Sequence, residues 1–80
     1  MNLSQVCLNH LNRVKSVSGH RETSSLGRQL EDIGFLPGET VSLLRRGFMG
    51  GEPLLVRIGT STFALRQAEA RLVELEENPL

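Results

Sequence analysis

Four side chains near the start of the chain have the chemistry of transition-metal ligands: Cys7, His10, His20 and Glu22 lie within sixteen residues of one another. Thiolate and imidazole suit zinc and ferrous iron, and Cys7 and His10, at i and i+3, share a face if their segment is helical. The set contains neither a CxxC nor an HxxxH pair, which a structural zinc site would supply. The expectation is an opportunistic site for Zn or Fe(II), with no cofactor required for folding. Nucleophilic catalysis finds less support. Gly59-Thr60-Ser61-Thr62-Phe63 lacks the second glycine and the following helix of a nucleophile elbow and reads as a polar β-turn. Gly47, Gly50 and Gly51 are not followed by the Lys-Ser/Thr of a phosphate-binding loop. Asp32 is the only aspartate, so paired carboxylates would have to come from scattered glutamates. No enzyme is expected.

A second group of residues suits binding. Phe48 and Met49 stand in a glycine-rich stretch, Gly47-Phe48-Met49-Gly50-Gly51-Glu52-Pro53, and an apolar pair on a projecting loop marks a surface for a partner. The competing arrangement folds the pair back as a lid over the end of the domain. Arg45, Arg46 and Arg57 would form the polar surround, or equally a solvated strand face. Nucleic-acid binding on a small β domain uses stacking aromatics beside a basic groove. The chain has no Trp or Tyr, and Phe35 and Phe63 are expected in the core, so Phe48 alone is left for stacking.

The elements that must position these residues are few. The 80 residues allow one domain, 1–80, and a chain of 8.8 kDa buries only about 63% of its unfolded surface. The formal charge is zero, from nine basic and nine acidic residues, so no global field draws the protein to nucleic acid or anionic lipid. Charge is uneven along the chain. Arg13, Lys15, Arg21 and Arg28 against Glu22 make residues 1–30 net +3, and Glu69, Glu74, Glu76 and Glu77 against Arg71 make residues 67–80 net −3. A solvated surface, or attraction between neighbouring strands of opposite charge, would account for this. A single cysteine fits a reducing compartment. No apolar run exceeds three residues, far short of the roughly 20 that span a bilayer. The opening residues lack the basic-then-apolar order of a signal peptide, and the expected location is cytoplasmic.

Turn residues divide the chain. Residues 4–11 predict a helical turn with Ser4 as cap. A strand from Arg13 to the Ser18-Gly19 turn follows, then an amphipathic helix capped by Thr23, Ser24 or Ser25, with Leu26, Leu30 and Ile33 at i, i+4 and i+7. Gly34 suits the helix end, and Leu36-Pro37-Gly38 reads as a type II turn. Strands over 39–46, 54–58, 63–65 and 71–76 complete the set, with a helical turn over 66–70. The predicted core is Leu26, Leu30, Ile33, Val41, Leu43, Val56, Ile58, Phe63, Leu65 and Val73. Five short strands with one early helix predict a small all-β barrel, because closure hides edges that a small flat sheet would expose. An OB-type barrel carries its helix between the third and fourth strands. Here it falls between the first and second, which favours an SH3-like barrel.

Four motifs occur together: Arg28-Gln29-Leu30-Glu31-Asp32-Ile33, the turn Gly34-Phe35-Leu36-Pro37-Gly38, the hairpin end Gly51-Glu52-Pro53, and Ala64-Leu65-Arg66 with Glu69-Ala70. In this order and spacing they resemble the FeoA family, over roughly residues 3–76. Two departures stand at the hairpin tip: Phe48 replaces the proline the family often has, and Gly50-Gly51 lengthens the tip by about one residue. The resemblance implies a cytosolic SH3-like protein that assists FeoB, a membrane ferrous-iron transporter with a cytosolic guanine-nucleotide-binding domain, by protein contact and without carrying iron itself. Arg66 and Glu69, at i and i+3, are expected to shape their turn. Related barrels form the C-terminal domains of iron-dependent repressors, but no DNA-binding helix-turn-helix fits in this length. The alternative is a small nucleic-acid-binding or repressor-type SH3-like interaction module.

Overall fold

The computed structural model describes residues 1–18 and 26–77. A 3₁₀ turn, Leu3–Gln5, is followed by β1 (Asn12–Val17), α1 (Leu26–Asp32), β2 (Thr40–Gly47), β3 (Gly51–Ile58), β4 (Ser61–Leu65), α2 (Gln67–Ala70) and β5 (Val73–Leu75). The strands form one antiparallel sheet in the order β4-β3-β2-β1-β5. The helix lies between the first two strands, as the turn residues predict, and the topology is that of the SH3-like barrel.

Alternation builds the strands. Val41 and Leu43 on β2 and Leu54, Val56 and Ile58 on β3 point into the core, where they meet Val14 and Val17 of β1 and Val73 and Leu75 of β5. Strand β1 serves two partners. Its start pairs with β2 through Asn12↔Val41 and Arg13↔Thr40, and from Val14, opposite Leu75, it pairs with β5, with a register shift in that pairing between Val14 and Ser16. The basic first strand thus lies beside the acidic last one, with Ser16 opposite Glu74, the second of the two arrangements that the uneven charge allows.

The helix differs from expectation at its end. The N–H of Phe35 donates to the Leu30 carbonyl at 3.0 Å and that of Gly34 to the Glu31 carbonyl at 3.1 Å, the two bonds of a Schellman motif, with Gly34 at φ 119. The helix stops before a third turn. Ile33, expected in the core, is therefore 41% exposed, and Phe35 fills the interior instead, beside Leu30 and 6.3 Å from the ring of Phe63. Leu26 and Phe63 are half-buried. The expected caps Thr23, Ser24 and Ser25 lie outside the described residues. At the turn that follows, the Glu39 N–H donates to the Leu36 carbonyl at 3.0 Å, closing Pro37-Gly38 as predicted.

The predicted helical turn over 4–11 is a larger correction. Asn2, not Ser4, caps the segment, and only Leu3–Gln5 is helical. Val6 is extended, Leu8 bridges to Leu43, and Asn9 has φ 61. Arg46 explains the early stop. One guanidinium nitrogen donates to the carbonyls of Ser4 at 2.9 Å and Val6 at 3.1 Å. A continuing helix would have used those acceptors for Leu8 and His10. Leu3 and Val6 are buried under this clamp.

Two predictions follow from this packing. Leu30→Ala, at a site 2% exposed, should lower unfolding free energy by about 2–5 kcal/mol, whereas Ile33→Ala should cost less than about 1 kcal/mol. Urea titration of both variants checks the pair. Arg46→Met keeps the aliphatic stem but removes both hydrogen bonds, and should cost about 1–3 kcal/mol. Loss of amide protection at Leu3–Val6 ahead of the sheet, measured by hydrogen exchange, would be its signature.

Candidate functional site

The β2–β3 hairpin is longer and its tip shorter than glycine and proline content suggests. The strands reach Gly47 and Gly51, leaving Phe48–Gly50 as the tip. The two backbones touch at its base. A Cβ on Gly47 would lie 2.1 Å from the Glu52 carbonyl oxygen, so no larger residue fits without moving the main chain. The register shifts here, from Arg46↔Leu54 to Gly47↔Gly51, which places Glu52 and Pro53 in a bulge where a missing N–H is tolerated. The Glu52 carboxylate accepts the Gln67 N–H at 2.5 Å, tying the base of the hairpin to the start of α2. Sequence reasoning missed Glu52 as an anchor. Its signal was a carboxylate beside a proline in a segment otherwise read as loop.

On this base the tip projects. Phe48 is 96% and Met49 82% exposed, so they do not fold back as a lid. Together with Arg45, Glu52, Pro53 and Leu55 they line a mostly apolar groove of about 320 Å³. The three arginines divide by register. Arg45 stands opposite Leu55, and Arg57 opposite Ser42 on the same outward face. Arg46 pairs with Leu54 on the inward side, where it holds Ser4 and Val6. The expected three-arginine surround is thereby reduced to Arg45 and Arg57. Alternation alone could have shown that adjacent Arg45 and Arg46 do not share a face.

Two of the four candidate metal ligands fall in the described residues. Cys7 and His10 are exposed, and the helix that was to align them ends at Gln5. His20 and Glu22 lie outside the described residues. Among the described residues no group of three His, Cys, Asp or Glu is placed to hold a metal ion. Around α2, Glu69 accepts the backbone N–H of Arg66 at 2.8 Å. The expected i, i+3 pair therefore shapes its turn as a capping contact to the main chain. Gly59-Thr60 is the two-residue reversal between β3 and β4. No described helix is long and apolar enough to cross a membrane.

Comparison with known proteins bears on the whole chain. The fold is similar to Stenotrophomonas maltophilia FeoA complexed with zinc, with TM-score 0.84, 39% identity and coverage of 95% of this chain and 89% of that one. That protein is described as a prokaryotic SH3 domain protein and put forward as a bacterial ferrous iron transport activating factor. Iron(II) transport protein A from Clostridium thermocellum matches at TM-score 0.81 and 32% identity, over 95% of this chain and 44% of that one. The FeoA protein of Chlorobium tepidum matches at 0.78 and 27%, over 94% and 68%. A search of curated proteins found no match. The FeoA domain model matches residues 1–77, which takes in both the SH3-like sheet and the hairpin, and the chain belongs to the FeoA domain family.

Proposed function

We propose that this protein serves ferrous iron uptake as a non-catalytic accessory factor that contacts the cytosolic part of an FeoB-type transporter through its β2–β3 hairpin. Phe48 and Met49 are the apolar anchors, and Arg45 and Arg57 the polar surround. The observation that carries this reading is the exposure of two large apolar side chains on a tip whose base is held rigidly by Gly47 and by the Glu52 to Gln67 bond. Interface energy concentrates in a few large side chains ringed by weaker contacts. The apolar groove beside the tip offers a seat for one partner side chain.

Contact alone does not change transport. To act, the hairpin must bind one transporter conformation or nucleotide state better than another, and the shift it produces equals that difference in affinity. A nucleic-acid role has less support. It needs Arg45, Arg46 and Arg57 on one strip, whereas Arg46 faces inward and the formal charge is zero.

Replacing Phe48 and Met49 together with Ser should weaken binding to the FeoB cytosolic domain by at least about tenfold and change stability by less than about 0.5 kcal/mol. Pull-down with and without guanine nucleotide, beside thermal melts, measures both. Loss of binding and stability together would mean that the pair supports the barrel. Unchanged binding would move recognition to the exposed Ile33 and Leu36 around the Pro37-Gly38 turn. The metal reading has its own expected outcome. Melts with and without chelator should coincide, because the described residues hold no three-ligand cluster. A lowered melting temperature on chelation would make the Cys7, His10, His20 and Glu22 region structural.

A further inference from the structure

The sheet has two edges, and they are treated differently. At the β5 edge, three residues long, the Leu75 N–H donates to the Met1 carbonyl at 2.8 Å and Asn2 bridges to Glu74. That edge is covered by the start of the chain and carries a charge. At the other edge, β4 pairs with β3 over five consecutive residues without a register shift. Residues 59–65, Gly-Thr-Ser-Thr-Phe-Ala-Leu, contain no charge and no proline. An edge without charge, proline or bulge lacks three of the devices that keep strands from pairing with another chain.

The direction of its backbone groups follows from the turn. Ile58 and Ser61 flank the two-residue reversal Gly59-Thr60, so they form a hydrogen-bonded pair, as do Val56 with Phe63 and Leu54 with Leu65. The Gly59 N–H donates to the Thr40 carbonyl, in keeping with odd-numbered residues of β3 turning toward β2. Thr62 and Ala64 therefore direct their N–H and C=O groups away from β3, and both residues are exposed.

We propose that β4 is a self-association edge whose occupant is β4 of a second copy of this chain, antiparallel about a two-fold axis through Phe63. In that register Thr62 faces Ala64 of the other copy, and the reverse, so the four outward backbone groups on each strand meet four complementary ones. Phe63 faces its own counterpart at a pair without backbone hydrogen bonds, where cross-strand side chains approach most closely. The inward row Leu43–Val56–Phe63 continues through the axis into the same row of the second copy and covers the exposed part of half-buried Phe63. On the outward face Arg57 stands beside Thr62, and the residue that follows across the axis is the second copy's uncharged Ala64. No like charges oppose one another. Centring the axis on Thr62 or Ala64 instead runs the pairing into the Gly59-Thr60 reversal or into Arg66 at the head of α2. The self-complementary register argues for a second copy over an unrelated extended peptide. The contact is well below the roughly 1,200 Å² of a standard interface, so the dimer is weak and in exchange with monomer. The hairpin tip stays free, and the inference is independent of transporter binding.

The test is sedimentation velocity on the full chain from micromolar to millimolar concentration, with amide hydrogen exchange at both ends of the range. The wild type should pass from monomer to dimer. Thr62 and Ala64 amides should exchange freely in dilute solution and become protected in concentrated solution, while Phe63 and Leu65 remain protected throughout. T62K/A64K, which sets Lys opposite Lys across the axis, should raise the dimer Kd by at least about tenfold, and T62E/A64K should recover most of the loss in a salt-sensitive manner. Far-UV circular dichroism establishes that each variant is folded. A wild type that stays monomeric at millimolar concentration would overturn the proposal. So would dimerisation of folded T62K/A64K at wild-type strength, or concentration-dependent protection that appears elsewhere and spares Thr62 and Ala64.

Discussion

Strand β1 has to satisfy two neighbours with six residues, and a register shift between Val14 and Ser16 in its pairing with β5 sets which of those residues face the core. At Arg13 and Val14 the strand is bonded on both sides: the Val14 N–H donates to the Glu39 carbonyl and the Val14 carbonyl accepts the Gly38 N–H, while the Arg13 carbonyl accepts the Glu76 N–H and Val14 stands opposite Leu75. Beyond the shift β5 is its partner. A bulge at this point increases twist and bends the strand. That bend folds the β4-β3-β2 half of the sheet over the β5 end and encloses one core from a chain with little apolar material to spare. Without it, Val14 and Val17 could not both be buried.

Fastening of the remaining segments depends on polar contacts. The N-terminal turn is held by Arg46, whose guanidinium reaches two carbonyls, and the hairpin base is held by Glu52 on the start of α2. Each is a charged group bonded to backbone, a stronger arrangement than exposed ion pairs. The hairpin can therefore project an apolar tip without local unfolding, which is what an interaction surface on so small a domain requires. Membership of the FeoA domain family links the chain to ferrous iron transport, and the anchored base of the hairpin supports the contact role proposed for its tip.

The two proposed surfaces differ in chemistry. The tip offers side chains, and recognition there would depend on shape and apolar area. The β4 edge offers main chain, and recognition there would depend on register. They lie on adjoining strands, since Leu55 in the groove stands opposite Ala64. A second copy at the edge would widen the outward face next to the tip rather than cover it.

Much of this was legible in the residues alone. Periodicity of two over Val41 to Leu43 and Leu54 to Ile58, Gly34 and Pro37-Gly38 after the helix, and the four family motifs determine five strands, the early helix, the SH3-like class and the family, because turn chemistry and side-chain alternation are local properties of the chain. Phe48 and Met49 stood out for the same reason. What the tertiary structure decided concerns contacts between distant residues. Ile33 is exposed because the helix ends early and Phe35 takes its place in the interior. Residues 6–10 are not helical because Arg46, some forty residues further along the chain, claims the carbonyls a helix would use. That clamp removes the helical face that Cys7 and His10 were to share. The hairpin tip shrank to three residues because Glu52 and Pro53 could join a strand through a bulge. Each of these outcomes depends on which groups meet across the fold, and the local pattern of a sequence does not encode who those distant partners are.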